Sequence, residues 1–118
     1  VLLLNSKKQV VLRRDSRIPI IEISGTVSGS IAGDLMAAYE KACESQPQNI
    51  IVKFVAGDHL YSSGISVLIK LLAEAGKRGQ KVHATGLSRH FAHIFSITGL
   101  NKHIQVFPSE EEALASLE

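Results

Sequence analysis

The sequence predicts an α/β fold on a mixed sheet of about four or five strands with about four α-helices. Three observations carry that reading. Runs rich in β-branched residues alternate along the chain with segments of helical apolar spacing. The run Ile50-Ile-Val-Lys-Phe-Val55 is largely apolar on both faces, as a central strand of a parallel sheet must be. At 118 residues and 12.8 kDa the chain is long enough for one self-standing core, so a single domain over 1–118 is expected.

The elements follow in order. Val10–Leu12 is a short apolar run before the charged turn Arg13-Arg14-Asp15-Ser16-Arg17. Early residues should add one or two strands, antiparallel to the rest. Ile18–Ile23 reads as a strand with Pro19 at its start or on an edge, because proline cannot donate to a ladder. From Ile31 the apolar residues Ile31, Leu35, Ala38, Tyr39 and Ala42 share one helical face. After Ile50–Val55 and the stretch Ala56–Gly64 comes a longer helix. Its wheel gives a buried stripe of Ile65, Leu68, Ile69, Leu72 and Ala73, with Lys70–Glu74 and Glu74–Arg78 spaced for ion pairs on the far side. Gly79 closes that helix, and Gln80–Thr85 is the next strand. Ser88 caps a third helix through Thr98, with Phe91, Ile94 and Phe95 inward and Gly99 as the stop. Ile104–Phe107 is a short extended segment. Ser109 and Glu112 then have capping-box spacing for a terminal helix with Ala113, Leu114 and Leu117 inward.

Composition narrows the function classes. Thirteen basic against eleven acidic side chains give a net charge of +2, without the dense positive field of a nucleic-acid binder. No apolar run reaches the length of a membrane span, no secretory signal is present, and Val1–Leu4 is too short for either. A single cysteine, Cys43, excludes an intrachain disulfide and fits a reducing cytoplasmic location. The chain opens on Val1 rather than Met, which points to a longer native product.

Chemical motifs are sparse. Gly25, Gly29 and Gly33 do not match a dinucleotide fingerprint, and no phosphate loop, HExxH pair or nucleophile elbow is present. His90 and His93 could approach one metal but lack a third ligand at short range. Asp58 and His59 near Ser62 and Ser63 do not make a triad by adjacency. No catalytic residue, metal site or cofactor is therefore assigned. Tyr61-Ser62-Ser63-Gly64 stands out, at the junction of the strongest strand with the longest helix. One serine can cap the helix, and a hydroxyl there faces its positive end. Capping alone and a regulatory or ligand contact are both open readings. Val67 falls in the polar arc of the wheel, where it is either an apolar anchor for a partner or a fold contact.

Asn49–Val55, Leu60-Tyr-Ser-Ser-Gly-Ile-Ser-Val-Leu68, Lys77–Lys81, Gly86-Leu-Ser88 and Thr98-Gly-Leu100, in this order and spacing, resemble the STAS domain family. The likeness runs from Val10 to the terminal helix and is similar in style to the bacterial anti-sigma-factor antagonists. That branch carries Asp-Ser-Ser-Gly, whose first serine is phosphorylated by a kinase that is also the anti-sigma factor, and a phosphatase resets it. The resemblance implies a non-enzymatic module with its phosphoacceptor at Ser62. It places Ser28, Leu60, Tyr61, Ser63, Gly64 and Val67 at the partner surface. Tyr61 stands where the family motif has Asp, and Ser28 lies where an acidic residue commonly follows the Ser-Gly turn. The alternative is an accessory or regulatory subunit of a membrane transport system, binding its partner without phosphorylation. Direct binding of a nucleotide or small anion at the Ser62 helix start is a third reading.

Overall fold

A computed structural model describes residues 8–118. Among them five strands, β1 (Val10–Arg13), β2 (Ile20–Ser24), β3 (Asn49–Val55), β4 (Lys81–Thr85) and β5 (Gln105–Phe107), form one sheet in chain order. β1 runs antiparallel to β2, and every later pair is parallel. One early strand is thus present; a second would fall in residues 1–7, outside the described residues. Four helices follow the parallel strands: α1 (Ala32–Ala42), α2 (Ser62–Lys77), α3 (Arg89–Thr98) and α4 (Glu110–Leu117).

Each parallel strand adds to the same side of its predecessor. Connections of one hand must then put their helices on one face. Leu35 and Tyr39 of α1, Leu68 and Leu71 of α2, and Phe91 and Phe95 of α3 accordingly share one core with Ile21, Ile23, Ile50, Val52 and Phe54. Phe54 meets Phe91 and Phe95 edge-on, with ring centroids 5.4 and 5.9 Å away. α4 alone covers the opposite face, where Ala113, Leu114 and Leu117 pack on Ile18, Ile20, Ile51 and Phe107. β3 lies third of five, so both its faces are covered, as its sequence requires.

Helix ends match the expected chemistry at two sites. Ser88 Oγ accepts from Phe91 N–H at 3.1 Å, and Ser109 Oγ from Glu112 N–H at 3.1 Å. Gly99 stops α3 at φ +78°, a left-handed conformation that costs glycine little.

α2 departs from expectation. Its buried residues are Gly64, Val67, Leu68, Leu71 and Ala75, whereas Ile69 is 52% exposed and Ala73 is also exposed. The helix is therefore turned from the stripe read off the wheel. Eight of the eleven residues 65–75 are apolar, so the wheel has two possible centres. The winning face includes Gly64, which lets the helix backbone approach Val27 in the loop after β2. A Cβ on Gly64 would stand 2.4 Å from the carbonyl oxygen of Val27. Glu74 pairs with Lys77 at 3.3 Å and Arg78 at 4.0 Å; the Lys70 pair is not among the ion pairs of the described residues. Cys43 is half-buried, and its Sγ accepts from Gln80 Nε2 at 3.4 Å.

Candidate functional site: the start of α2

Two loops converge at the carboxyl ends of β2 and β3. Val27 N–H donates to His59 O at 2.8 Å, and Tyr61 N–H donates back to Val27 O at 2.9 Å. Val27 and Leu60 thus form a short parallel bridge that carries Ser28 alongside the start of α2. Ser28 caps a single 3-10 turn, Gly29–Ile31, by accepting from Ser30 N–H at 3.3 Å. Across the junction, Gly29 N–H donates to Ser63 Oγ at 2.9 Å. A hydroxyl in the first turn of α2 thereby joins residues 34 positions apart.

Neither serine caps α2. The capping position belongs to Tyr61, in extended conformation and with no side-chain bond to the helix. Ser62 is the first helical residue. It is exposed, and its Oγ has no hydrogen-bond partner among the described residues, while its carbonyl accepts from Ser66 Oγ at 3.2 Å. No acidic side chain occupies the first turn, so the positive end of α2 is not neutralised locally. Ser62 therefore presents a free hydroxyl beside unsatisfied backbone donors, a place that tolerates a dianionic group.

Tyr61 is 51% exposed and projects beside Ser62. Its ring lies 5.4 Å from that of His59, which lies 5.6 Å from that of His90 at the start of α3. His59 Nδ1 is hydrogen-bonded to the Asp58 carbonyl at 2.9 Å; since a carbonyl only accepts, Nδ1 is the donor. This strip of rings extends the site toward α3. Sequence reasoning missed His59 and His90 as members, because no local spacing links a loop residue to a helix start 31 positions later.

Three expected surface roles are corrected. Leu60 is 6% exposed and Val67 7%, and both side chains belong to the core. For Val67, the fold-contact alternative is the one realised, because α2 packs through 64, 67, 68, 71 and 75. Gly64 is buried too, held against Val27. The outward surface is made by Tyr61, Ser62 and Ser63 with the half-exposed Ser28. Among the described residues no group of three or more His, Cys, Asp or Glu side chains could hold a metal ion.

The sequence pattern of the STAS domain matches residues 9–113. This chain belongs to the STAS domain family. The STAS fold is also shared with solved structures of low identity. An anti-sigma factor antagonist from Mycobacterium paratuberculosis is 19% identical with a TM-score of 0.75, over 91% of this chain and 91% of that one. The unphosphorylated form of the anti-sigma factor antagonist SpoIIAA is 19% identical with a TM-score of 0.74, over 92% and 95%. The phosphorylated form of the Bacillus cell fate determinant SpoIIAA is 18% identical with a TM-score of 0.68, over 92% and 99%. No curated protein sequence matches the chain. No helix among the described residues of this STAS domain is long and apolar enough to cross a membrane.

Proposed function

We propose that this STAS domain is a non-enzymatic, cytoplasmic interaction module, an anti-sigma-factor antagonist switched by phosphorylation of Ser62. Its partners on this reading are a serine kinase that doubles as the anti-sigma factor and a phosphatase that resets the cycle. The unphosphorylated chain binds the kinase and releases the sigma factor, which regulates transcription. The observation that carries the reading is the free, exposed Ser62 hydroxyl at the first residue of α2. Ser28, Tyr61 and Ser63 are held around it by the Val27–Leu60 bridge and the Gly29–Ser63 bond. A phosphate there adds nearly two negative charges and bulk to a surface of hydroxyls and one aromatic ring. The helix end supports it electrostatically, while a partner face fitted to the neutral surface is repelled. The chain supplies no ATP chemistry; the kinase does.

A second reading has its own observation. Tyr61, half exposed where the antagonist motif has Asp, gives the surface an aromatic anchor and removes a charge beside the acceptor. That suits an accessory or regulatory subunit of a membrane transport system, held by its partner without phosphate cycling.

Affinity copurification from the source cells with wild type, Ser62→Ala and Ser62→Asp, with intact mass of the recovered chain, separates the two. The switch requires a kinase partner, a single phosphoryl increment on wild type, and loss of that partner with Ser62→Asp. Transport components retained equally by all three unmodified forms would overturn it in favour of the subunit.

A further inference from the structure

Spacing in the sequence pairs His90 with His93, three residues along the same helix. The fold brings His90 a histidine from a different element. His59 lies in the loop between β3 and α2, and His90 is the second residue of α3. Both are exposed, with ring centroids 5.6 Å apart and ring planes inclined at 43°. Two imidazoles that bind one ion through nitrogens about 2.0–2.1 Å from it have ring centres roughly 4.5–6 Å apart. The pair therefore stands at the separation of a shared ion. Exposed rings need only turn about their own side-chain torsions to aim at it.

The proton on one ring is also placed. His59 Nδ1 donates to the Asp58 carbonyl at 2.9 Å, so the neutral ring carries its lone pair on Nε2. A hydrogen bond from the other ring nitrogen to a backbone carbonyl is how a ligating imidazole is commonly oriented and made more basic. No third His, Cys, Asp or Glu side chain joins the two in a metal-holding group among the described residues. The arrangement is a two-toothed clip, with the ion's remaining positions left to water. Two imidazoles and no carboxylate suit nickel, copper or zinc, whereas magnesium and calcium require oxygen ligands. We infer that His59 and His90 together chelate one late divalent transition-metal ion, each through a single ring nitrogen. The inference does not rest on the Ser62 reading, because neither histidine takes part in that switch.

The test is titration of the untagged full chain with nickel chloride, followed by calorimetry and by proton NMR. One ion should bind per chain. Paramagnetic broadening should strike the imidazole signals of His59 and His90 first, together with the Tyr61 ring 5.4 Å from that of His59. Those of His93 and His103 should broaden only at higher nickel. His59→Ala and His90→Ala should each weaken nickel at least about ten-fold, with the thermal midpoint unchanged because both side chains are exposed. His93→Ala and Ser62→Ala should bind as wild type. Manganese, at the weak end of the divalent series, should bind at least about ten-fold more weakly than nickel. Absence of saturable binding, or full affinity in either His59→Ala or His90→Ala, would overturn the inference. So would an equal loss in His93→Ala and His90→Ala, which would return the ion to the helical pair.

Discussion

Ser62 and Ser63 are the same side chain one position apart, and the fold uses them differently. Ser63 Oγ fastens the 28–31 loop through Gly29 N–H, while Ser62 Oγ fastens nothing. In urea denaturation Ser63→Ala should therefore cost about 1 kcal/mol, the net worth of one hydrogen bond, and Ser62→Ala less than about 0.5 kcal/mol. Gly64→Ala should cost about 2 kcal/mol or more, because its Cβ would meet a backbone carbonyl that cannot move aside without undoing the Val27–Leu60 bridge. Ala56, between β3 and the site, has φ +52°, where an L-residue is strained. Ala56→Gly should raise stability by up to about 1 kcal/mol, read from the same unfolding curves. The sequence singled out Tyr61–Gly64 and offered a capping serine, a role that neither Ser62 nor Ser63 takes. It could not divide the labour between the two serines, because the division depends on a loop 34 residues upstream.

At the scale of elements, α4 is the most informative. It is only eight residues long and buries a small apolar face, yet it is clamped by charge. Glu110 receives Arg13 Nη1 at 2.8 Å and Nη2 at 3.0 Å, and Lys53 Nζ at 3.0 Å; Arg13 also reaches Glu22 at 2.9 Å. The Arg13 hydrogen bonds, with help from Lys53, hold the Glu110 carboxyl down at about 2 against burial, which works the other way. Arg13 is raised in turn, chiefly by Glu110. A depressed carboxyl gives stability that is complete above its unfolded value and is lost as pH falls through the folded one. Unfolding free energy should therefore drop by about 1–3 kcal/mol between about pH 4.5 and pH 2, and Glu110→Gln should flatten that limb. The sequence legibly marked Ser109 as a cap. It did not reveal that Glu110 is the anchor, since Arg13, Glu22 and Lys53 come from three strands brought together only by register. α2 was misread for a related reason. With apolar residues on most of its circumference, its own periodicity cannot choose a face, and the choice falls to the sheet and to Gly64.

Across the whole molecule the alternation of strands and helices was legible, because each element's length and period are local properties. The two-sided partition of helices was not, and it creates a buried polar layer beneath α4. His83 and Thr85 are 3% and 1% exposed on that face. His83 Nε2 donates to Asn49 Oδ1 at 2.8 Å, but His83 Nδ1 and Thr85 Oγ1 have no partner among the described residues. Burial, with Lys81 nearby, lowers the His83 pKa, and protonation would put a second N–H where nothing accepts it. Here the unfolded chain takes up protons first. Stability should be complete above about pH 6.5 and decline as pH falls below it toward the lowered folded value, well before the Glu110 limb begins. The His83 imidazole proton resonance, followed by pH titration in the folded protein, should have its midpoint below that of a free imidazole; a midpoint at or above it would refute the expectation.

The strand order carries a consequence for how the chain reaches this state. Because the sheet is laid down in chain order, every strand docks on the one made just before it, β2 across a turn and each later strand across a helical crossover. No strand has to wait for a distant segment, so the entropy of loop closure is incurred in small, similar steps. Assembly can then proceed directionally, with each finished strand offering the edge on which the next one forms. The short β5 terminates that edge, and α4 closes the remaining face only after β5 is in place. A chain emerging from the ribosome could thus acquire the Ser62 surface, which needs only β2, β3 and the start of α2, before its last third has been synthesised.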